Sequence, residues 1–267
     1  VGLFYLPGFT QYQTYDPAKA DNTVGPSDVV MYLLTQCGTL DEVRAELGKI
    51  VVAAVPEPSI GFPAPVHFLV TQPDGAAIVV EYHEGQARIY DNPLGVITNS
   101  PDYDWHMTNL RNYVNLSSIA WPDKKIRDLD FAPLGAGSGM IGLPGDFTPP
   151  SRFIRAVAFT QTARPTADGP DAVYEMFRIL DNFNVPLGFA EGSDLKTPAR
   201  SGLRSSTLWT SAWDTKNFAL YYHTHLNRRV RMVDMKRVSF APTDAGITAF
   251  PLDRVRAEDI EDVTPKK

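Results

Sequence analysis

Val66-His67-Phe68-Leu69-Val70-Thr71, followed by Gln72-Pro73-Asp74-Gly75-Ala76 and then Ala77-Ile78-Val79-Val80-Glu81-Tyr82, is the stretch on which the fold turns. Two β-branched runs flank Pro73-Asp74-Gly75, where proline presets the bend and glycine tolerates a positive φ. The spacing predicts an antiparallel hairpin. Ala87 to Tyr90, after Gly85, extends it by a third strand, and Val96 to Thr98, after Asn92-Pro93, by a fourth. Upstream, residues 1–9 read as a buried strand leading into a polar loop. Ser27-Asp28 starts a helix with the apolar stripe Val29, Val30, Leu33, Leu34 and Cys37. Thr39 with Glu42 forms a capping box for a second helix, Leu40 to Leu47.

Downstream, Ser100-Pro101 opens a helix with Tyr103, Met107, Leu110, Tyr113 and Val114 on one face. Residues 117–147, rich in glycine and proline, read as loop. Thr148-Pro149-Pro150 opens a helix through about Thr162, and another runs from Asp171 to Leu180. Strands return at Ser206 to Asp214, Phe218 to Thr224 and Val230 to Met235, before a charged tail at 255–267 that reads as weakly ordered. The order is strands, helices, strands, with no βαβ alternation. This argues against a doubly wound parallel sheet and for an α+β fold of two antiparallel sheets with helices on their outer faces. No linker, repeat or low-complexity segment divides the chain, so 1–267 reads as one domain.

The 267 residues are 43% hydrophobic and 21% charged, enough to bury a sizeable core. A net charge of −6 gives no electrostatic footprint for nucleic acid or an anionic membrane. No apolar run reaches the roughly 18 residues a spanning helix needs. The single cysteine, Cys37, permits neither an intrachain disulfide nor a thiolate zinc cluster. That fits a reducing compartment and leaves the periplasm open as well.

Several residues invite a chemical reading. Gly135-Ala136-Gly137-Ser138-Gly139 resembles a phosphate loop, but Gly142-Leu143-Pro144-Gly145 follows where a helix would have to open, so it reads as loop. His223 and His225 share a strand face without a third ligand at suitable spacing, and read as structural. His106 lies within a helix and reads as a packing or hydrogen-bonding residue. Cys37 lies on an apolar stripe, where a thiol behaves as a small hydrophobe. Asn99 stands between a strand and a helix, so its amide is expected near the positive helix end, either as a donor to an oxyanion or as a local capping group. Arg152, in the first turn of a helix, opposes the helix dipole. The placement calls for an anionic partner or leaves an exposed cation at small cost.

Asn99 and Arg152 lie inside two longer motifs. Asn92-Pro93-Leu94-Gly95-Val96-Ile97-Thr98-Asn99-Ser100-Pro101-Asp102-Tyr103-Asp104-Trp105-His106 resembles a signature of the choloylglycine hydrolase family, which contains bile salt hydrolases and penicillin V acylases. Gly142-Leu143-Pro144-Gly145-Asp146-Phe147-Thr148-Pro149-Pro150-Ser151-Arg152-Phe153 resembles its second signature, and Arg229-Val230-Arg231-Met232-Val233-Asp234 is similar to family C-termini. The resemblance implies a four-layer αββα sandwich of two antiparallel sheets, the N-terminal-nucleophile hydrolase fold. It implies a cysteine nucleophile, exposed as residue one, that attacks an amide carbonyl to form a thioester that water hydrolyses. It assigns Asn99 as a side-chain oxyanion donor, Arg152 as the cation beside the sulfur and, through the spacing of Phe9 and Tyr12, Tyr5 as a second oxyanion donor by its backbone N–H. Bile salt hydrolases often carry Asn at that place and some penicillin acylases carry Tyr, so Tyr5 leans to the acylases.

Cys37 does not match the nucleophile's place. The expectation is therefore an enzyme whose N-terminal segment, with the nucleophile, precedes Val1, so that these residues alone are inactive. The expected reaction is hydrolysis of linear carbon–nitrogen amides by a penicillin V acylase-like or acyl-homoserine lactone acylase-like enzyme. The alternatives are a conjugated bile salt hydrolase and, in another class, an inactive acyl-ligand-binding relative. The substrate is expected to be a small amide with a bulky apolar acyl group, with Phe4, Phe9 and Trp105 as candidate cleft aromatics. No cofactor, metal, nucleic acid or membrane partner is expected, and the resemblance implies a homotetramer.

Overall fold

In the computed structural model the chain opens with β1 (Gly2–Tyr5), β2 (Thr23–Val24), α1 (Val29–Gln36), α2 (Leu40–Leu47) and β3 (Val51–Val52). Next come β4 (Val66–Thr71), β5 (Ala77–His83), β6 (Gln86–Asp91), α3 (Tyr103–Leu110), β7 (Lys124–Ile126), β8 (Leu129–Phe131) and α4 (Pro149–Thr162). The structure describes residues 1–189, 205–241, 249, 252, 253, 255 and 261–264. They fall into two compact units, Val1–Thr162 and Ala163–Lys267.

The first unit is built on the hairpin that opened the sequence reading. β4 and β5 are the inner strands of an antiparallel sheet in the order β1-β4-β5-β6. Side chains alternate across a strand. Val66, Phe68 and Val70 with Ile78, Val80 and Tyr82 therefore share one face, where they meet Val29 and Leu33 of α1 and Val43 and Leu47 of α2. On the other face Val79, Leu69 and Tyr90 meet Tyr103 of α3 and Phe153, Ile154 and Val157 of α4. A strand covered on both faces has no polar side to show, which is why Ile78-Val79-Val80 reads as a continuous apolar run. The capping box of α2 forms as expected: Thr39 accepts from Glu42 N–H, and the Glu42 carboxylate accepts from Thr39 N–H.

Four local expectations are corrected. β1 is an edge strand among the described residues, where β4 alone pairs with it, and Leu3 and Tyr5 are exposed. Val96 to Thr98 forms no strand: the Asn92 side chain donates to Val96 O at 3.1 Å and His67 to Thr98 O at 3.0 Å, in place of a neighbouring strand. α3 starts at Tyr103, with Asp102 at its N-cap, later than Ser100-Pro101 suggested. The loop 117–147 contains the β7–β8 hairpin, turned through Arg127 at φ 55°. Gly135 to Gly139 is no phosphate loop but a packed turn. A Cβ on Gly139 would lie 2.1 Å from the Ile119 carbonyl oxygen, so only glycine allows this backbone approach.

The second unit holds α5 (Gly169–Leu180) and an antiparallel sheet of β9 (Trp209–Asp214), β10 (Ala219–Thr224) and β11 (Arg231–Asp234), in the order β11-β10-β9. Asp168 caps α5 by accepting from Asp171 N–H. A Cβ on Gly169 would lie 2.1 Å from an Asp214 carboxylate oxygen, so the helix start sits against the end of β9. Phe177 of α5 packs on His223 of β10 with ring centroids 5.3 Å apart. Most of the charged tail lies outside the described residues. The chain is α+β, with antiparallel principal sheets, as the order of elements predicted.

Candidate active site

Tyr5 lies opposite Val66, and the next residue, Leu6, donates to Pro65 O at 2.7 Å. Residues of an antiparallel pair face the partner strand and turn away from it alternately. Tyr5 therefore directs its N–H and C=O to the side of β1 that faces away from β4. The Asn99 side-chain amide donates from Nδ2 to that carbonyl at 2.8 Å. Arg152 in turn donates from Nη2 to Asn99 Oδ1 at 2.7 Å, and from Nε to Phe147 O at 3.0 Å. Tyr5, Asn99 and Arg152, from β1, the 92–102 segment and α4, thus form one hydrogen-bonded line.

The charges along that line decide what it can do. Among the described residues no carboxylate lies within ion-pair distance of Arg152. Burial, then the nearby Arg155 charge, pull its guanidinium below the ordinary value. The nearby acid, Asp146, is committed elsewhere. It accepts from Ser151 Oγ at 2.6 Å and Thr148 N–H at 2.8 Å at the start of α4, and the Ser151 and Thr148 bonds hold its carboxyl down to about 2. The anionic partner expected for Arg152 is therefore absent among these residues, and the cation meets the Asn99 carbonyl oxygen instead. A charged donor on Oδ1 polarises the amide and makes Nδ2–H a stronger donor. An amide NH2 carries two hydrogens. One goes to Tyr5 O, and the other is left for a further acceptor.

Asn99 and its two neighbours are anchored by further bonds. His106 donates to Asn99 O at 2.9 Å, and Ser100 Oγ donates to Pro7 O at 2.8 Å. Thr98 Oγ1 donates to Pro149 O at 3.2 Å. His67 Nε2 bonds Thr98 O at 3.0 Å, while its Nδ1 meets Glu81 Oε1 at 2.8 Å. Glu81 is fully buried in the apolar run of β5. Burial raises its carboxyl, but bonds from His67, His83 and Tyr103 N–H outweigh this and leave it below the ordinary carboxylate value. The Asn99 amide does not sit at the positive end of α3, as the sequence suggested. Glu81 occupies that place, accepting from Tyr103 N–H at 3.0 and 3.2 Å.

Sequence reasoning passed over Glu81 and His67. The signal was a lone acid in the middle of Ile78-Val79-Val80-Glu81-Tyr82, which a buried strand tolerates only if donors meet it. Glu81, His83 and Asp102 also bring ligand atoms within 4.8 Å of one another. The Glu81 oxygens are already met by three donors, so the cluster reads as a hydrogen-bond network.

The other candidates lie apart from this line or play local parts. Cys37 closes α1 on the opposite face of the sheet. Burial, then Glu46 and Glu42, push its thiol up, the reverse of what a reactive sulfur needs. His223 is buried against α5, whereas His225 is exposed beyond the end of β10. Phe4 meets His67 edge-on at 6.2 Å. Phe9 and Trp105 stay 38% and 42% exposed, as open cleft walls or plain surface would. Among the described residues no helix is long and apolar enough to cross a membrane.

A bile salt hydrolase/transferase from Clostridium perfringens is 32% identical over 234 residues, 87% of this chain and 68% of that protein. A penicillin V acylase from Pectobacterium atrosepticum is 24% identical, over 91% of this chain and 61% of that one. Among solved structures, a mutant conjugated bile acid hydrolase from Clostridium perfringens superposes with a TM-score of 0.81 at 27% identity, covering 95% of this chain and 74% of its own. The fold is thus that of an N-terminal-nucleophile hydrolase. The family model for linear amide C–N hydrolases of the choloylglycine hydrolase family matches residues 1–248, a span that includes Tyr5, Asn99 and Arg152. The chain belongs to the choloylglycine hydrolase family of linear amide C–N hydrolases.

Proposed function

We propose that the protein hydrolyses conjugated bile salts or closely similar amides, in which a bulky apolar acyl group is joined to a small polar amine. The observation that carries this is the Arg152–Asn99–Tyr5 line: a polarised amide N–H and a backbone N–H presented together on the side of β1 away from β4. Two such donors are what an oxyanion on a tetrahedral carbon requires. Arg152, which has no carboxylate within ion-pair distance among the described residues, favours a negative charge nearby, either the oxyanion or a thiolate. Cys37 has neither the place nor the environment of the nucleophile, so in this reading the sulfur comes from outside these 267 residues. Attack by the thiolate forms a thioester and releases the amine. Water then releases the acid.

The bile salt reading is favoured over the penicillin V acylase-like one by the relatives. The curated proteins matched at 32% and 29% identity are named bile salt hydrolase/transferase, against 24% for the penicillin V acylase. The acylase reading keeps one observation, Tyr5 in the place where some penicillin acylases carry Tyr. Assembly as a homotetramer is proposed on family resemblance and is read by light scattering. The test of function is a substrate pair given to the nucleophile-bearing protein. Release of glycine or taurine from conjugated bile acids faster than penicillin V cleavage is the expected result. The reverse ranking transfers the assignment to the acylases, and turnover of neither supports the inactive, ligand-binding relative.

A further inference from the structure

We infer that His67, oriented by Glu81, is a positioning residue that fixes the Asn99 amide for the reaction. The inference rests on the proposed role of Asn99. It starts from an energetic oddity. Glu81 is fully buried and His67 is 1% exposed, in the middle of an apolar sheet. A buried polar pair of this kind seldom adds net stability over apolar residues of the same size. This one is placed where it ties two strands of the sheet to the segment that carries Asn99.

The geometry gives the tie two ends. At one, His67 bridges Glu81 Oε1 at 2.8 Å to Thr98 O at 3.0 Å, the peptide carbonyl directly ahead of Asn99. At the other, Glu81 accepts from Tyr103 N–H at 3.0 and 3.2 Å. One carboxylate thus clamps the 98–103 turn at its entry and its exit. His83 Nε2, 3.0 Å from Glu81 Oε2, completes the set of donors. Both ring nitrogens of His67 face acceptors, so the ring cannot flip without losing a bond. His106 holds the next carbonyl, that of Asn99, at 2.9 Å. Rotation of either peptide would carry the Asn99 side chain away from Tyr5 O and Arg152. Misplacement of a reacting group by about 1 Å costs on the order of 100-fold in rate.

Two substitutions at one position separate positioning from packing. In His67→Gln the amide nitrogen takes the place of Nε2 and keeps the bond to Thr98 O. In His67→Asn the nitrogen takes the place of Nδ1, so Glu81 keeps a donor and Thr98 O loses one. The measurements are kcat and KM on a glycine-conjugated bile acid with the nucleophile-bearing protein, and amide exchange of the peptide spanning 97–103. Asn99→Ala serves as the reference. For His67→Asn we expect kcat to fall about 10- to 100-fold with KM within about twofold, and exchange to quicken. For His67→Gln we expect kcat within about threefold. A folded His67→Asn variant with unchanged kcat and unchanged exchange overturns the inference. If His67→Asn does not fold, His67→Gln decides: retained kcat supports the inference, and a loss of about tenfold or more in the folded protein overturns it. If Asn99→Ala leaves kcat intact, the assignment of Asn99 fails, and the exchange data still report whether His67 holds the turn.

Discussion

Asn99 shows how one side chain acquires an unusual environment from its partners. The amide is common chemistry. What sets it apart is a cation on its oxygen and a strand carbonyl on its nitrogen. Lysine cannot replace Arg152 here, because one ammonium lacks the planar fork that reaches Asn99 Oδ1 and Phe147 O together. Arg152→Lys is expected to lower kcat about tenfold while leaving the thermal midpoint nearly unchanged, read by steady-state kinetics beside a melting curve. Asp146 gives a second prediction, in stability. Its folded pKa of about 2 lies below that of a free carboxyl, so its bonds contribute fully above the unfolded value and are lost as pH falls through the folded one. Asp146→Asn should therefore be less stable than the parent near neutral pH. The gap between their urea midpoints should narrow as pH falls from about 4 to about 2. A gap that stays constant over that range removes the carboxylate from the account.

At the level of elements, legibility follows the range of the interactions. The α2 capping box spans three residues and was readable, because both partners sit in one short string. The β4–β5 hairpin was readable because its turn chemistry and apolar runs adjoin. The β7–β8 hairpin was not, since Ile126, Leu129 and Phe131 alternate with charges and remain exposed, so no buried pattern marked it. The supports of Asn99 were beyond reach for a different reason. Asn99 and Tyr5 are 94 residues apart, and His67 and Thr98 are 31 apart, and no local period encodes such a pairing. Asn99, Arg152 and Tyr5 were singled out by resemblance, with a helix-start argument for the first two. Only Glu81 left a local trace, an acid within an apolar run. Packing supports this level too. Phe153 of α4 is fully buried and stacks on His106 with centroids 4.7 Å apart. Phe153→Ala should cost about 3–5 kcal/mol in urea unfolding, against about 1 for Phe153→Leu if the site repacks. Equal costs would mean that the pocket between α3 and α4 collapses around either residue.

For the molecule as a whole, the helices and strands serve to bring three distant segments together beside β1. Composition bounded the class, and element order indicated an α+β chain with antiparallel sheets. Neither indicated a reaction. The chemistry entered through two motifs, and the structure brings their Asn and Arg into direct contact at 2.7 Å. The central claim is that this contact primes a donor for the oxyanion of amide hydrolysis. The most direct measurement is the acylation rate of the nucleophile-bearing protein with Asn99→Ala, on a glycine-conjugated bile acid under single-turnover conditions. The account predicts a fall of about 100- to 1,000-fold with substrate affinity nearly unchanged. A rate within about threefold of the parent would contradict it.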